Sequence, residues 1–178
     1  MAVLPVRILP DPVLRRKAVK VTSFDASLQK LIDDMIDTMH EQGGVGIAAN
    51  QVGVLRRVVI IQLPEDEEPR VLINPEITLR EGERIVEEGC LSIPGYRGRL
   101  KRSVKVHAKA LDRKGKAVRI KAENDLLAQA LEHEIDHLNG ILYIDHLASK
   151  EDLWKIEVGE EEATPEESRE STAEVVQR

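Results

Sequence analysis

Apolar residues recur at helical spacing over Leu28, Leu31, Ile32, Met35, Ile36 and Met39, which predicts an amphipathic helix of about four turns. Asp25 stands where a cap belongs, and Gly43-Gly44 ends the run. Ahead of this helix, Pro5, Pro10 and Pro12 punctuate the chain. Behind it, the stretch from Gly44 through Gly46, Ala48, Ala49, Asn50 and Gln51 to Gly53 packs small residues too densely for an ordinary strand or helix. It predicts a loop whose backbone approaches a partner closely. From Arg57 onward, short β-branched runs (Val58 to Leu63, Val71 to Ile77, Ser103 to Leu111, Ala117 to Ala122) are separated by turn chemistry such as Asp112-Arg113-Lys114-Gly115. They predict a mostly antiparallel sheet region. A second helix follows, with Asn124 as cap, Leu126, Leu127, Ala130, Leu131 and Leu138 as apolar positions and Asn139-Gly140 as the stop. A short apolar strand at Ile141 to Ile144 and a last helical segment over Lys150 to Val158 complete the pattern. The order of elements is that of an α+β fold, with mostly antiparallel sheets packed around the second helix, an N-terminal helix and a C-terminal helical segment.

Composition narrows the picture. At 178 residues with 42% apolar, the chain suits one domain, expected over 1–158. Its aromatics are only Phe24, Tyr96, Tyr143 and Trp154, too few for stacking successive bases of single-stranded nucleic acid. The net charge of −6 is uneven: residues 157–178 hold 8 acids and 2 bases, leaving 24 of each in residues 1–156. Residues 159–178 therefore read as an acidic, disordered tail. The neutral body offers no general attraction to nucleic acid or an anionic membrane. A lone cysteine, Cys90, excludes an internal disulfide and suggests a reducing compartment. Residues 1–14 lack the apolar run of a signal peptide or membrane span, so the expected location is cytoplasmic.

The chemistry concentrates in His133-Glu134-Ile135-Asp136-His137. Within a helix the two imidazoles, at i and i+4, leave one face at a spacing that brackets a metal ion, with Glu134 beside them. Leu126, Ala130, His133 and His137 form a stripe more apolar than a solvated helix face. A catalytic metal site takes three protein ligands and keeps one position open. An extended zinc-protease pattern does not supply the third, because Tyr143 stands where a histidine is due and His146 comes three residues late. A downstream carboxylate, Asp145 or Glu151, is one candidate. Cys90 is another, as a thiolate that binds zinc or iron strongly. The ordinary reading of a lone cysteine is a buried, inert thiol, but Gly89 and Pro94 flank this one with turn chemistry.

Three motifs together, Gly44-x-Gly46-x-Ala48-Ala49-x-Gln51, Glu88-Gly89-Cys90-Leu91-Ser92 and His133-Glu134-x-Asp136-His137, resemble those of the peptide deformylases in order and approximate separation. The opening Ile8-Leu9-x-x-Pro12-x-Leu14-Arg15 and Ile73-Asn74-Pro75 are also similar to that family. The resemblance, from about Val6 to Asp145, implies hydrolytic removal of the formyl group from N-terminal formyl-methionine of newly made polypeptides. It implies one divalent ion per chain on Cys90, His133 and His137, natively Fe2+, with Zn2+, Ni2+ or Co2+ able to occupy the site. Glu134 is then the proton carrier, while the Gln51 amide and the Leu91 N–H face the developing oxyanion. Gly46 and Arg97 are expected near the substrate backbone, and Val45, Leu126 and Ala130 around the methionine side chain.

Some positions depart from that pattern. Gln129 stands where many relatives are apolar, Glu132 where glutamine is commoner, and the tail is acidic where some relatives carry a basic ribosome-docking helix. The implied partners are nascent formylated N-termini and, transiently, the ribosome, with no membrane and no sequence-specific nucleic acid contact. The alternatives are a small metallopeptidase cleaving internal peptide bonds and a structural metal site in a binding module.

Overall fold

In the computed structural model, which describes residues 2–156, the first apolar stripe becomes α1 (Ala26–Glu41). The Asp25 carboxylate caps it by accepting the Leu28 N–H at 2.9 Å. The glycine-rich stretch is not all loop: it contributes the short strand β1 (Gly46–Ala48) and a 3-10 turn at Ala49–Val52. Pairing with a neighbouring strand supplies the backbone bonds that its composition alone does not forecast, since Gly46, Ile47 and Ala48 lie opposite Ile61, Ile60 and Val59.

The remaining strands are β2 (Val58–Ile61), β3 (Arg70–Glu81), β4 (Arg84–Cys90), β5 (Ile93–Arg102), β6 (Lys105–Leu111), β7 (Ala117–Glu123) and β8 (Leu153–Lys155). They form a five-stranded sheet in the order β1-β2-β3-β6-β7 and a three-stranded sheet in the order β4-β5-β8, with every pairing antiparallel. All four residues of β2 are buried. Val58 and Ile60 face the cluster that includes Leu28, Ile32, Met35 and Met39 of α1, whereas Val59 and Ile61 face the cluster on the sheet's other side. A strand covered on both faces loses the polar half of its alternation, which is why it reads as a continuous apolar run.

Helix α2 (Leu126–Leu138) fills that other side, where Leu127, Ala128, Leu131 and Leu138 pack on Leu72, Val106, Ala108 and Ile120. Its cap is Asp125, which accepts the Ala128 N–H at 2.8 Å, rather than Asn124, which takes a left-handed φ of 51° immediately before it. The helix stops before Gly140, whose φ of 74° favours glycine.

Two C-terminal expectations are corrected. Ile141 to Ile144 does not form a strand; a 3-10 turn covers Tyr143–His146 and buries Tyr143. The helical segment expected over Lys150 to Val158 is shorter within the described residues. A 3-10 turn at Lys150–Asp152 leads into β8, which completes the open edge of β5 with Gly98 opposite Leu153 and Tyr96 opposite Lys155. An unpaired sheet edge offers more hydrogen bonds than one short turn of helix. Val158 and the expected acidic tail over 159–178 lie outside the described residues.

Candidate metal centre and pocket

The β4–β5 hairpin brings the lone cysteine to α2. Cys90 ends β4, opposite Ile93 across the two-residue turn Leu91-Ser92. Pro94 lies inside β5. It is tolerated because the β8 pairing begins only at Tyr96.

Cys90, His133 and His137 offer ligand atoms that all lie within 4.8 Å of one another. Cys90 Sγ and His137 Nε2 are 3.3 Å apart. A tetrahedral ion with sulfur at about 2.3 Å and nitrogen at about 2.0–2.1 Å spaces such donors by roughly 3.6 Å, so the donor set fits a divalent transition metal in both chemistry and spacing. His133 Nδ1 is held 2.6 Å from Glu88 Oε1, which leaves its Nε2 for the centre.

The other candidate ligands are engaged elsewhere. His146 Nε2 lies 2.9 Å from Asp136, Asp145 pairs with Arg15 at 2.6 Å, and Glu151 meets Ser149 Oγ at 3.2 Å. Tyr143 stacks beside His133, ring centroids 6.3 Å apart.

Behind these three residues lies a chain of buried charge whose arginine, Arg102, sequence reading missed. Arg102 donates to both Glu88 oxygens, at 2.6 and 2.9 Å, and to Asp136 at 2.8 Å. Burial alone would push the Glu88 carboxyl up, but the hydrogen bonds from Arg102 and His133 overcome it and hold the group at about 2. Its signal was present: Gly98, Leu100 and Arg102 share the inward face of β5, and an inward arginine requires carboxylates.

Glu134 is 5% exposed, and its Oε2 meets no protein partner. Burial raises its carboxyl to about 7, with His133 opposing and Glu88 adding. A Cβ on Gly46 would come 2.7 Å from Glu134 Oε1, so the missing side chain makes room for this carboxylate. Gln51 is buried and its amide is oriented from both ends. Its Oε1 accepts the Ala48 N–H at 2.9 Å, and its Nε2 donates to Ser92 Oγ at 3.1 Å and faces Cys90 Sγ at 3.6 Å. The Leu91 N–H donates to no backbone or side-chain group among the described residues.

These groups open onto a pocket of about 450 Å3. Val45, Gly46, Gln51, Cys90, Leu91, Arg97, Leu126, Ala130, His133 and Glu134 all line it, while His137 is buried beneath. Val45 and Leu126, 36% and 42% exposed, leave apolar surface bare at its walls. Arg97 lies opposite Trp154 in the sheet. Glu132 faces away from the pocket: its carboxylate accepts the Ser103 N–H at 2.7 Å and meets Arg80 Nε at 3.2 Å, which accounts for an acid at this position.

A centre of this kind, a three-donor site with a buried carboxylate on an HExxH helix, belongs to the metal-dependent hydrolases. The sequence profile of the family described as Polypeptide deformylase matches residues 3–153. A peptide deformylase of Dehalococcoides mccartyi (strain CBDB1) is 56% identical over 170 residues, covering 96% of this chain and 100% of its own length. This chain belongs to the peptide deformylase family, whose members hydrolytically remove the formyl group from N-terminal methionine. A peptide deformylase from Thermodesulfovibrio yellowstonii is 50% identical over 159 residues, covering 87% of this chain and 96% of its own. Among solved structures, the Legionella pneumophila peptide deformylase superposes with a TM-score of 0.80 at 49% identity, over 83% of this chain and 87% of its own. The Synechococcus elongatus enzyme in complex with actinonin has a TM-score of 0.80 at 37% identity, over 84% and 81%. No helix among the described residues is long and apolar enough to cross a membrane.

Proposed function

We propose that this chain carries out its family's reaction with Cys90, His133 and His137 holding one divalent ion and Glu134 moving the proton. The convergence of those three donors beside a buried carboxylate in one pocket carries the reading. An ion bound there supplies Lewis acidity, acidifying water and polarising the formyl carbonyl.

Glu134, raised by burial to about 7, is poised both to take a proton from the attacking water and to return it to the leaving amine. The Gln51 Nε2 and the Leu91 N–H donate to the oxygen on which charge develops. The Gln51 amide needs no reorientation, because its other end is tied to Ala48. Val45, Leu126 and Ala130 receive the methionine side chain, and Gly46 and Arg97 flank the substrate backbone.

Membership of the family, and not the donor set, supports Fe2+ as the native ion; thiolate with two imidazoles also accommodates Zn2+, Ni2+ or Co2+. The protein acts in the cytoplasm on nascent chains as one catalytic domain over residues 1–158. The acidic residues after Glu157 make its contact with the ribosome weak and transient.

The decisive measurement is formate release from a formyl-Met dipeptide by protein loaded anaerobically with Fe2+ or Ni2+, beside Glu134→Ala loaded in the same way. Rapid release by the wild type and a loss on the order of 10²-fold or more in the variant are expected. No release from folded, metal-replete wild type would overturn the proposal.

A further inference from the structure

We propose that Gln129 sets which first side chain the pocket accepts, by building one polar group into an apolar wall, so that methionine is only weakly preferred over a polar side chain of its length. This rests on the deformylation reading above.

Leu126, Gln129, Ala130 and His133 follow one another at i, i+3, i+4 and i+7 along one face of α2, and all four line the pocket. A peptide whose formyl end lies at His133 therefore lays its first side chain along this face, with Val45 also lining the cavity. Gln129 is the one polar side chain among Leu126, Gln129 and Ala130, the pocket-lining positions that precede His133. Its Nε2 donates to the Glu87 carbonyl of β4 at 2.9 Å. A carbonyl only accepts, so the amide nitrogen must face β4 and the orientation of the amide is set. The amide oxygen accepts no hydrogen bond among the described residues, and the tie to β4 keeps the side chain from swinging freely into solvent.

Methionine has no hydrogen-bond donor. Seating it against this oxygen removes water without replacing its bond, whereas a side chain of equal length ending in an amide replaces it. Discrimination against polar side chains, which an all-apolar wall enforces by leaving their donors unpaired, is thereby weakened.

The test compares kcat/KM for formyl-norleucine-Ala with that for formyl-Gln-Ala, in the wild type and in Gln129→Leu, using metal-loaded protein. The norleucine-to-glutamine ratio should rise on the order of tenfold in the variant. Taking the ratio within one preparation cancels differences in metal content and in general activity. Gln129→Met, which keeps the side-chain length, should behave in the same way, and it decides the matter if Gln129→Leu does not fold. A ratio unchanged within about twofold overturns the inference. Absence of formate release from formyl-Met-Ala by the wild type would instead overturn the deformylation reading on which it rests.

Discussion

Gly46 and Cys90 show how much depends on single positions. The glycine has no side chain because Glu134 occupies the space where one would lie. Gly46→Ala should displace that carboxylate and lower kcat by about 10²-fold, while metal content measured by atomic emission stays at the wild-type level; a wild-type kcat would contradict the close approach. Under the proposed function Cys90 separates this centre from a peptidase closed by histidine or carboxylate, since His146 and Asp145 are paired elsewhere. Cys90→Ala should therefore lose tight metal binding, read by equilibrium dialysis with Ni2+ or Zn2+. Undiminished affinity would point to a different third ligand. The identity of Glu134 and the histidines was legible in the chain because i and i+4 spacing on a helix is local geometry. The Arg102–Glu88 and Ser92–Gln51 contacts were not, because those partners lie 14 and 41 residues apart in sequence.

At the scale of elements, helices were readable and the hairpin that matters most was not. Both helices carry their caps and stops within a few residues, and the cap of α2 was displaced only from Asn124 to Asp125. Asp125→Ala should cost about 1 kcal/mol and lower the melting temperature by roughly 2–4 °C in a thermal scan of the metal-loaded protein, whereas Asn124→Ala should not remove the bond to Ala128. Strands β4 and β5 escaped notice because their alternation is interrupted by Gly89, Pro94, Gly95 and Gly98, and because β5 places a charged Arg102 on its inward face. The strand β8 is the clearest case of tertiary pairing overriding local pattern: its three residues have a strand's hydrogen bonds only because β5 offers an edge.

Across the whole molecule, the centre lies where separate layers meet. One apolar cluster lies between α1 and the five-stranded sheet, a second between that sheet and α2, and a third around Leu14, Ile93, Leu100, Leu142 and Tyr143 beside the β4–β5 hairpin. Cys90 belongs to the edge of the third cluster, while α2, which carries both histidines, packs into the second. Arg102 joins these layers by bridging Glu88 of β4 and Asp136 of α2. Arg102→Met leaves both carboxylates without their buried countercharge and should destabilise the protein by about 3–5 kcal/mol, measured by urea unfolding of the metal-loaded protein. An unchanged midpoint would show that the bridge is not part of the fold's support.

What the amino-acid sequence determined by itself was whatever depends on neighbours along the chain: the two amphipathic helices, their ends, the histidine pair with its carboxylate, and the neutral body with its acid-rich end. The tertiary structure alone decided that Cys90 lies beside the two histidines, how far each strand extends, and that Gly46 makes room for Glu134. Those outcomes depend on contacts between residues tens of positions apart, and register and packing settle such contacts only when the layers come together.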